Sequence, residues 1–135
     1  MQPVRLCNMA KIYSFVNQKG GVGKTTSTIN IGAYLALQGK KVLLVDNDPQ
    51  ANATSCLGID KNTIMNGTYE VMINSFDPSK SILYNPRVKL SLLPSSPSLA
   101  GAEVELINLS DREFRLRNML EKLHDRYDYI LIDCP

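Results

Sequence analysis

Eight consecutive residues, Lys19-Gly20-Gly21-Val22-Gly23-Lys24-Thr25-Thr26, bring backbone freedom, positive charge and hydroxyl groups into one short segment. A loop that wraps a triphosphate turns its backbone N–H groups inward, and that calls for φ/ψ values glycine adopts without penalty. Three glycines supply them. A helix starting behind the loop would add unpaired N–H groups and the positive end of its dipole. Lys24 would then reach the β- and γ-phosphates as a point charge, the Thr25 hydroxyl would ligate Mg²⁺, and Thr26 would meet the α-phosphate. The usual pattern, G-x-x-x-x-G-K-[ST], asks for glycine at position 18, where Gln18 stands. A second lysine, Lys19, follows it instead, which makes this a deviant version of the loop. The competing reading is a tight turn without function, and the full G-G-x-G-K-T-T run weighs against it.

Three carboxylates could complete such a site. Asp46 and Asp48 close one apolar run, and Asp133 closes another. In open α/β sheets ligands bind outside the carboxyl ends of the strands. A carboxylate at that place can hold the Mg²⁺ shell, usually through water. It can equally be a solvated side chain or a helix cap, and only the neighbouring loop tips the choice toward metal.

These groups need elements to hold them. Residues 11–17, KIYSFVN, read as a first strand that stops at the glycines. Residues 24–38 carry Ile29, Ile31, Leu35 and Leu37 without a proline and suit a helix, ended by Gly39. Residues 41–46, KVLLVD, are nearly continuously apolar, as in a strand buried on both faces. Strand, loop, helix and strand make a βαβ unit, hence a parallel sheet with a right-handed crossover. Further on, 68–74 suits a short helix, 77–86 a loop, 88–94 a third strand and 99–108 a helix. Ser110-Asp111-Arg112-Glu113 has the form of a capping box opening a helix through Arg126, with Phe114, Leu116, Met119, Leu120 and Leu123 as its apolar stripe. Residues 129–132 close as another buried strand. The fold class is therefore α/β, a parallel β-sheet flanked by helices.

Composition narrows the function classes. The length, 135 residues, suits one domain, and 44% apolar content supports a packed core. A net charge of +2 is too small to announce a nucleic-acid partner. Cys7, Cys56 and Cys134 form no C-x-x-C pair, so reduced thiols are expected rather than a zinc site or disulfide framework. No run approaches the ~20 apolar residues of a membrane span, and the first residues lack a signal-peptide core. A soluble, intracellular protein is the expectation.

NQKGGVGKTT, VLLVDNDPQANAT, LLPSSPSLAGAEVEL and YDYILIDCP, in that order, resemble successive landmarks of the ParA/Soj partition ATPases, P-loop NTPases of the SIMIBI class. The resemblance runs from Met9 to Pro135. It implies an ATPase using ATP and Mg²⁺, with residues 19–26 on the nucleotide and Lys19 reaching into a partner subunit's site as ATP clamps a homodimer. Asp48 would orient the attacking water, Asp46 would sit near the metal beside Thr25, and Asp133 would be the Walker-B residue. It further implies nonspecific DNA binding, a ParB-like centromere-binding partner, chromosome or plasmid partition as the task, and a cytoplasmic, nucleoid-associated protein with no membrane attachment. Asn47 and Ala51 depart from the family pattern, which often has an aliphatic residue and a glycine there; neither removes a functional group.

Family members are about twice this long, so residues 11–135 are expected to be the N-terminal half of the ATPase domain, inactive in hydrolysis alone. The adenine-contacting and DNA-gripping residues would lie in the other half. The first strand would sit inside the family's sheet, between the last strand here and one not in this chain. Residues 1–10 read as an N-terminal extension, with the true start at Met9. Three other readings compete: a MinD-like membrane-associated positioning ATPase, an ATP-driven redox protein and an inert truncated product. Gln18 argues against the first, since MinD-like proteins usually carry glycine before the signature lysine. Cys134 fits a shared iron–sulfur cluster poorly.

Overall fold

The computed structural model describes residues 9–135, and the start expected at Met9 concerns residues 1–8, which lie outside them. Five strands form one sheet: β1 (Lys11–Phe15), β2 (Val42–Asp46), β3 (Leu83–Asn85), β4 (Leu90–Leu93) and β5 (Tyr129–Asp133). All but β3 run parallel. The continuous apolar character of the inner strands explains their burial. Every residue of β2 is buried, and so are Ile130 to Asp133. Side chains alternate across a strand. Leu43, Val45, Ile130, Ile132 and Leu93 therefore face one helical layer, while Val42, Leu44, Leu131, Leu90 and Leu92 face the other.

In chain order β1 leads into α1 (Lys24–Leu37), which returns the chain to β2. A short α2 (Asn52–Cys56) follows, then α3 (Thr68–Ile73), the edge strand β3, β4, α4 (Ala102–Ile107), α5 (Arg115–Glu121) and β5. The sheet order is β1-β5-β2-β4-β3. β5 thus lies beside β1, as the resemblance implies, and also pairs with β2, and β1 has a strand on one side only among the described residues. All five of its residues are exposed or half-buried.

α1 meets the sheet through Thr28, Gly32 and Ala36, spaced four apart on one face. A Cβ on Gly32 would stand 3.3 Å from the methyl ends of Leu131 and Leu90, so the helix lies close on the strands. The larger apolar residues of this helix are less covered: Ile31 and Leu37 are exposed.

Four expectations need correction. Residues 77–86 are not all loop, because β3 pairs antiparallel with β4 at the sheet edge. The third strand is Leu90–Leu93 only, since Lys89 turns the hairpin with a left-handed φ of 55°. The helix expected over 99–108 begins as a 3₁₀ turn, Pro97–Gly101, before α4. The capping box at 110–113 does not form: Asp111 is left-handed (φ 58°) and opens a 3₁₀ turn in which Phe114 N–H donates to its carbonyl at 2.9 Å. Glu113 takes the Arg112 guanidinium at 3.0 Å, and the helix is shortened to α5, with turns beyond it. The chain bends after α4, and the left-handed residue that bends it removes the geometry a Ser110 cap needs.

Candidate nucleotide site

The phosphate loop stands where the pattern places it, between β1 and α1, at the C-terminal end of the parallel strands. Gly21 (φ 70°) and Gly23 (φ 86°) take the left-handed values that motivate glycine there. Asn17, just ahead of the loop, ties it down twice. Its Oδ1 accepts from the Lys19 N–H at 2.9 Å, and its carbonyl accepts from Lys24 Nζ at 3.3 Å. Lys24 begins α1, so its charge and the helix's first N–H groups share one location. The Lys19 side chain is exposed. A cavity of about 330 Å³ opens beside the loop, lined by Val16, Asn17, Val22, Lys24 and Ser27 among others.

Asp133 meets this loop from the end of β5. The Thr25 hydroxyl donates to its Oδ2 at 2.7 Å, and Thr28 Oγ1 lies 3.4 Å from its Oδ1 while donating to the Lys24 carbonyl at 2.8 Å. Burial pushes the Asp133 carboxyl up from the ordinary range. The two threonine bonds and Lys24 pull against that shift, and Asp48 adds to it.

Asp46 is held differently. It is fully buried at the end of β2. Its Oδ2 accepts from the Thr54 N–H at 2.8 Å and the Thr54 hydroxyl at 2.6 Å, and its Oδ1 from the Asp48 N–H at 3.2 Å. Burial dominates and raises its carboxyl to about 6, against those hydrogen bonds; the neighbouring Asp133 charge raises it further. Oδ2 thus takes two protein donors, while Oδ1 takes one long one and keeps acceptor capacity. Asp48, half-buried, keeps a freer carboxylate whose Oδ1 takes the Gln50 N–H at 2.9 Å. Its carbonyl accepts from Ala51 N–H at 2.8 Å and Ser95 Oγ at 2.7 Å.

The loop residues, Asp133 and Asp48 are therefore brought to one end of the sheet. Sequence reasoning missed the second rank: Thr28, Thr54, Thr68 and Ser95 are buried hydroxyl residues clamping that end. Ser95 N–H donates to Thr54 Oγ1 at 3.0 Å, and Thr68 Oγ1 donates to the Asp46 carbonyl at 2.7 Å. Threonine or serine inside an otherwise apolar pattern was the available signal for Thr28, on the inner face of α1; Ser95 offered none.

Among the described residues no group of three or more His, Cys, Asp or Glu is arranged to hold a metal. A lone hydroxyl and carboxylate in contact suit Mg²⁺, which keeps several waters and fills its shell with phosphate oxygens.

A model of the AAA domain family matches residues 10–135. The chain belongs to that family. Within the AAA-domain family it is 49% identical over 127 residues to the sporulation initiation inhibitor protein Soj of Bacillus subtilis, which covers 94% of this chain and 50% of Soj. It is 48% identical over 128 residues to the chromosome partitioning protein ParA of Myxococcus xanthus, across 94% of this chain and 45% of that one. The ParA/Soj resemblance is thereby shown, and the chain spans about half the length of these relatives. Among solved structures, a Mycobacterium smegmatis protein titled cobyrinic acid a,c-diamide synthase, with bound ADP and magnesium, superposes with a TM-score of 0.91 at 41% identity, over 94% of this chain and 51% of that one. The ATP complex of a substituted McdA from Cyanothece gives 0.83 at 26%, over 94% and 49%. The parallel sheet flanked by helices is the fold of these neighbours. No described helix is long and apolar enough to cross a membrane.

Proposed function

We propose that this chain is the nucleotide-binding part of an ATP-driven partition switch. The observation that carries the reading is the 2.7 Å contact between Thr25 Oγ1 and Asp133 at the mouth of a glycine loop that opens a helix. Residues 19–26 cradle the phosphates, with Lys24 on the β/γ-phosphates and Thr26 toward the α-phosphate. Thr25 and Asp133 hold Mg²⁺, whose contribution when bound is to neutralise charge on the transferring phosphoryl group. Asp48 orders the attacking water, and Asp46 sits near the metal while its Oδ1 holds the Asp48 backbone. Lys19, exposed at the loop, reaches a second subunit and makes dimerisation depend on ATP.

The assignments of ADP, ATP and magnesium to solved relatives, and of partition to curated ones, support this reading. In the whole protein the ATP-bound dimer holds DNA without sequence preference, and a ParB-like protein triggers hydrolysis, on the nucleoid in the cytoplasm.

Two variants test the division of labour. Lys24→Ala should abolish nucleotide binding in titration calorimetry, because it removes the charge on the β/γ-phosphates. Lys19→Ala should keep monomer affinity and lose ATP-dependent dimerisation in light scattering. Equal loss of affinity in both would sink the role of Lys19 between subunits.

A further inference from the structure

Ala51 is an alanine in a left-handed backbone (φ 53°, ψ 42°), and it is fully buried. Glycine adopts that conformation without penalty, whereas a side chain is strained there and stays only where its surroundings hold it. The turn that Ala51 closes is held from two sides. Its N–H donates to the Asp48 carbonyl at 2.8 Å, and on the exposed side Lys61 Nζ donates to the Gln50 carbonyl at 2.8 Å. On the inner side the Ser95 hydroxyl, just past β4, donates to the same Asp48 carbonyl at 2.7 Å.

Ser95 also belongs to a closed circuit. Its N–H donates to Thr54 Oγ1 at 3.0 Å, the Thr54 hydroxyl donates to Asp46 Oδ2 at 2.6 Å, and Asp46 Oδ1 accepts the Asp48 N–H at 3.2 Å. Ser95, Thr54 and Asp46 are all fully buried. The backbone of Asp48 is thus gripped at its N–H and at its carbonyl by one buried network. That grip reaches the side chain through the turn. Gln50 N–H donates to Asp48 Oδ1 at 2.9 Å, and Oδ2 has no protein donor among the described residues. Because Ala51 already gives the Asp48 carbonyl a backbone donor, the Ser95 hydroxyl is not needed to satisfy that oxygen. What it adds is a tie between the turn and the end of β4, across 47 positions of sequence.

We propose that Ser95 is a positioning residue for ATP hydrolysis, its hydroxyl clasping the strained Asp48–Ala51 turn to the end of β4 and so aiming the Asp48 carboxylate at the attacking water. The inference rests on the water-ordering role given to Asp48 above and names what sets its direction. The clasp touches no phosphate group, so its loss acts on turnover and leaves nucleotide affinity alone.

The test is steady-state hydrolysis of Mg-ATP by the whole protein. Ser95→Ala should lower kcat by about tenfold with KM unchanged, the scale of one hydrogen bond lost from a reacting geometry. The backbone N–H at position 95 still reaches Thr54 in this variant, and ATP affinity in calorimetry should equal the parent's. Adding Ala51→Gly should recover part of the lost turnover, because glycine keeps the left-handed turn without the clasp. In an Asp48→Ala protein, Ser95→Ala should change kcat no further, since the clasp works through that carboxylate. An unchanged kcat in Ser95→Ala, no recovery with Ala51→Gly, or the same drop with and without the Asp48 carboxylate would each overturn the proposal. Failure of the underlying reading looks different: Asp48→Ala itself would then turn over at the parental rate, and the clasp would fall with it.

Discussion

Asp46 and Asp48, two positions apart, use their carboxylates in opposite ways. Asp48 keeps an accessible carboxylate on a backbone pinned by Ser95, the arrangement suited to ordering a water. Phosphoryl transfer asks the protein mainly for positioning and charge stabilisation. Asp48→Ala in the whole protein should therefore keep ATP binding and dimerisation and cut turnover by roughly 10²–10⁴, the span of water-orienting groups. Parental turnover in that variant would hand the role to another residue. Asp46 instead faces inward with its carboxyl raised to about 6, and that has a pH signature. Below about pH 4 it is protonated in both folded and unfolded chains. As pH rises through 6 the folded chain must ionise a buried group that the unfolded chain ionised earlier in water, so stability falls, by about 3 kcal/mol. Asp133, also raised, adds with the same sign. In metal-free protein, urea unfolding from about pH 4 to 7 should show this decline, shallower in Asp46→Asn. Parallel curves for the two proteins would contradict it.

Elements in this fold are seated by close approaches as much as by apolar patches. α3 starts against the end of β4: Thr68 N–H donates to the Pro94 carbonyl at 2.9 Å, and a Cβ on Gly67 would lie 2.5 Å from that same oxygen. Backbone cannot yield as a side-chain end can. Gly67→Ala should cost about 1–3 kcal/mol in chemical denaturation, the usual range for overpacking. Gly32→Ala meets only flexible leucine ends and gains helix propensity, so its change should stay within about 1 kcal/mol. Elements with a long uniform signal were legible in the sequence: β2 and β5 as continuous apolar runs, α1 as a proline-free stretch behind glycines. The loop residues, Asp48 and Asp133 followed from chemistry that tolerates few substitutes. What escaped was decided by tertiary contact. β3 is three residues long and exists because β4 offers it an edge. The capping-box pattern at 110–113 lost to a bend that the chain needs after α4. Thr54 and Ser95 matter only because the fold joins two residues that stand 41 positions apart.

At the scale of the whole molecule, burial is uneven. The β2, β4 and β5 strands are sealed between layers, while β1 and the outer side of α1 expose Ile12, Tyr13, Val16, Ile31, Tyr34 and Leu37. An apolar edge with free N–H and C=O groups invites pairing with another chain. The 135-residue chain by itself should self-associate as its concentration rises, and Ile12→Lys should suppress this in sedimentation velocity; concentration-independent monomers would refute it. The sheet order carries one more consequence, for the moment of synthesis. Thr25 and its partner Asp133 stand 108 positions apart, and the strand bearing Asp133 is made after β1 to β4 yet sits between β1 and β2. Non-local pairing of this kind is slow to form. A nascent chain that has made its phosphate loop still lacks the strand that separates and aligns β1 and β2. On the proposed role, nucleotide would stabilise only a chain in which β5 has already been inserted. Until β5 is made, β1 and β2 are joined by α1 but have no strand to pair between them.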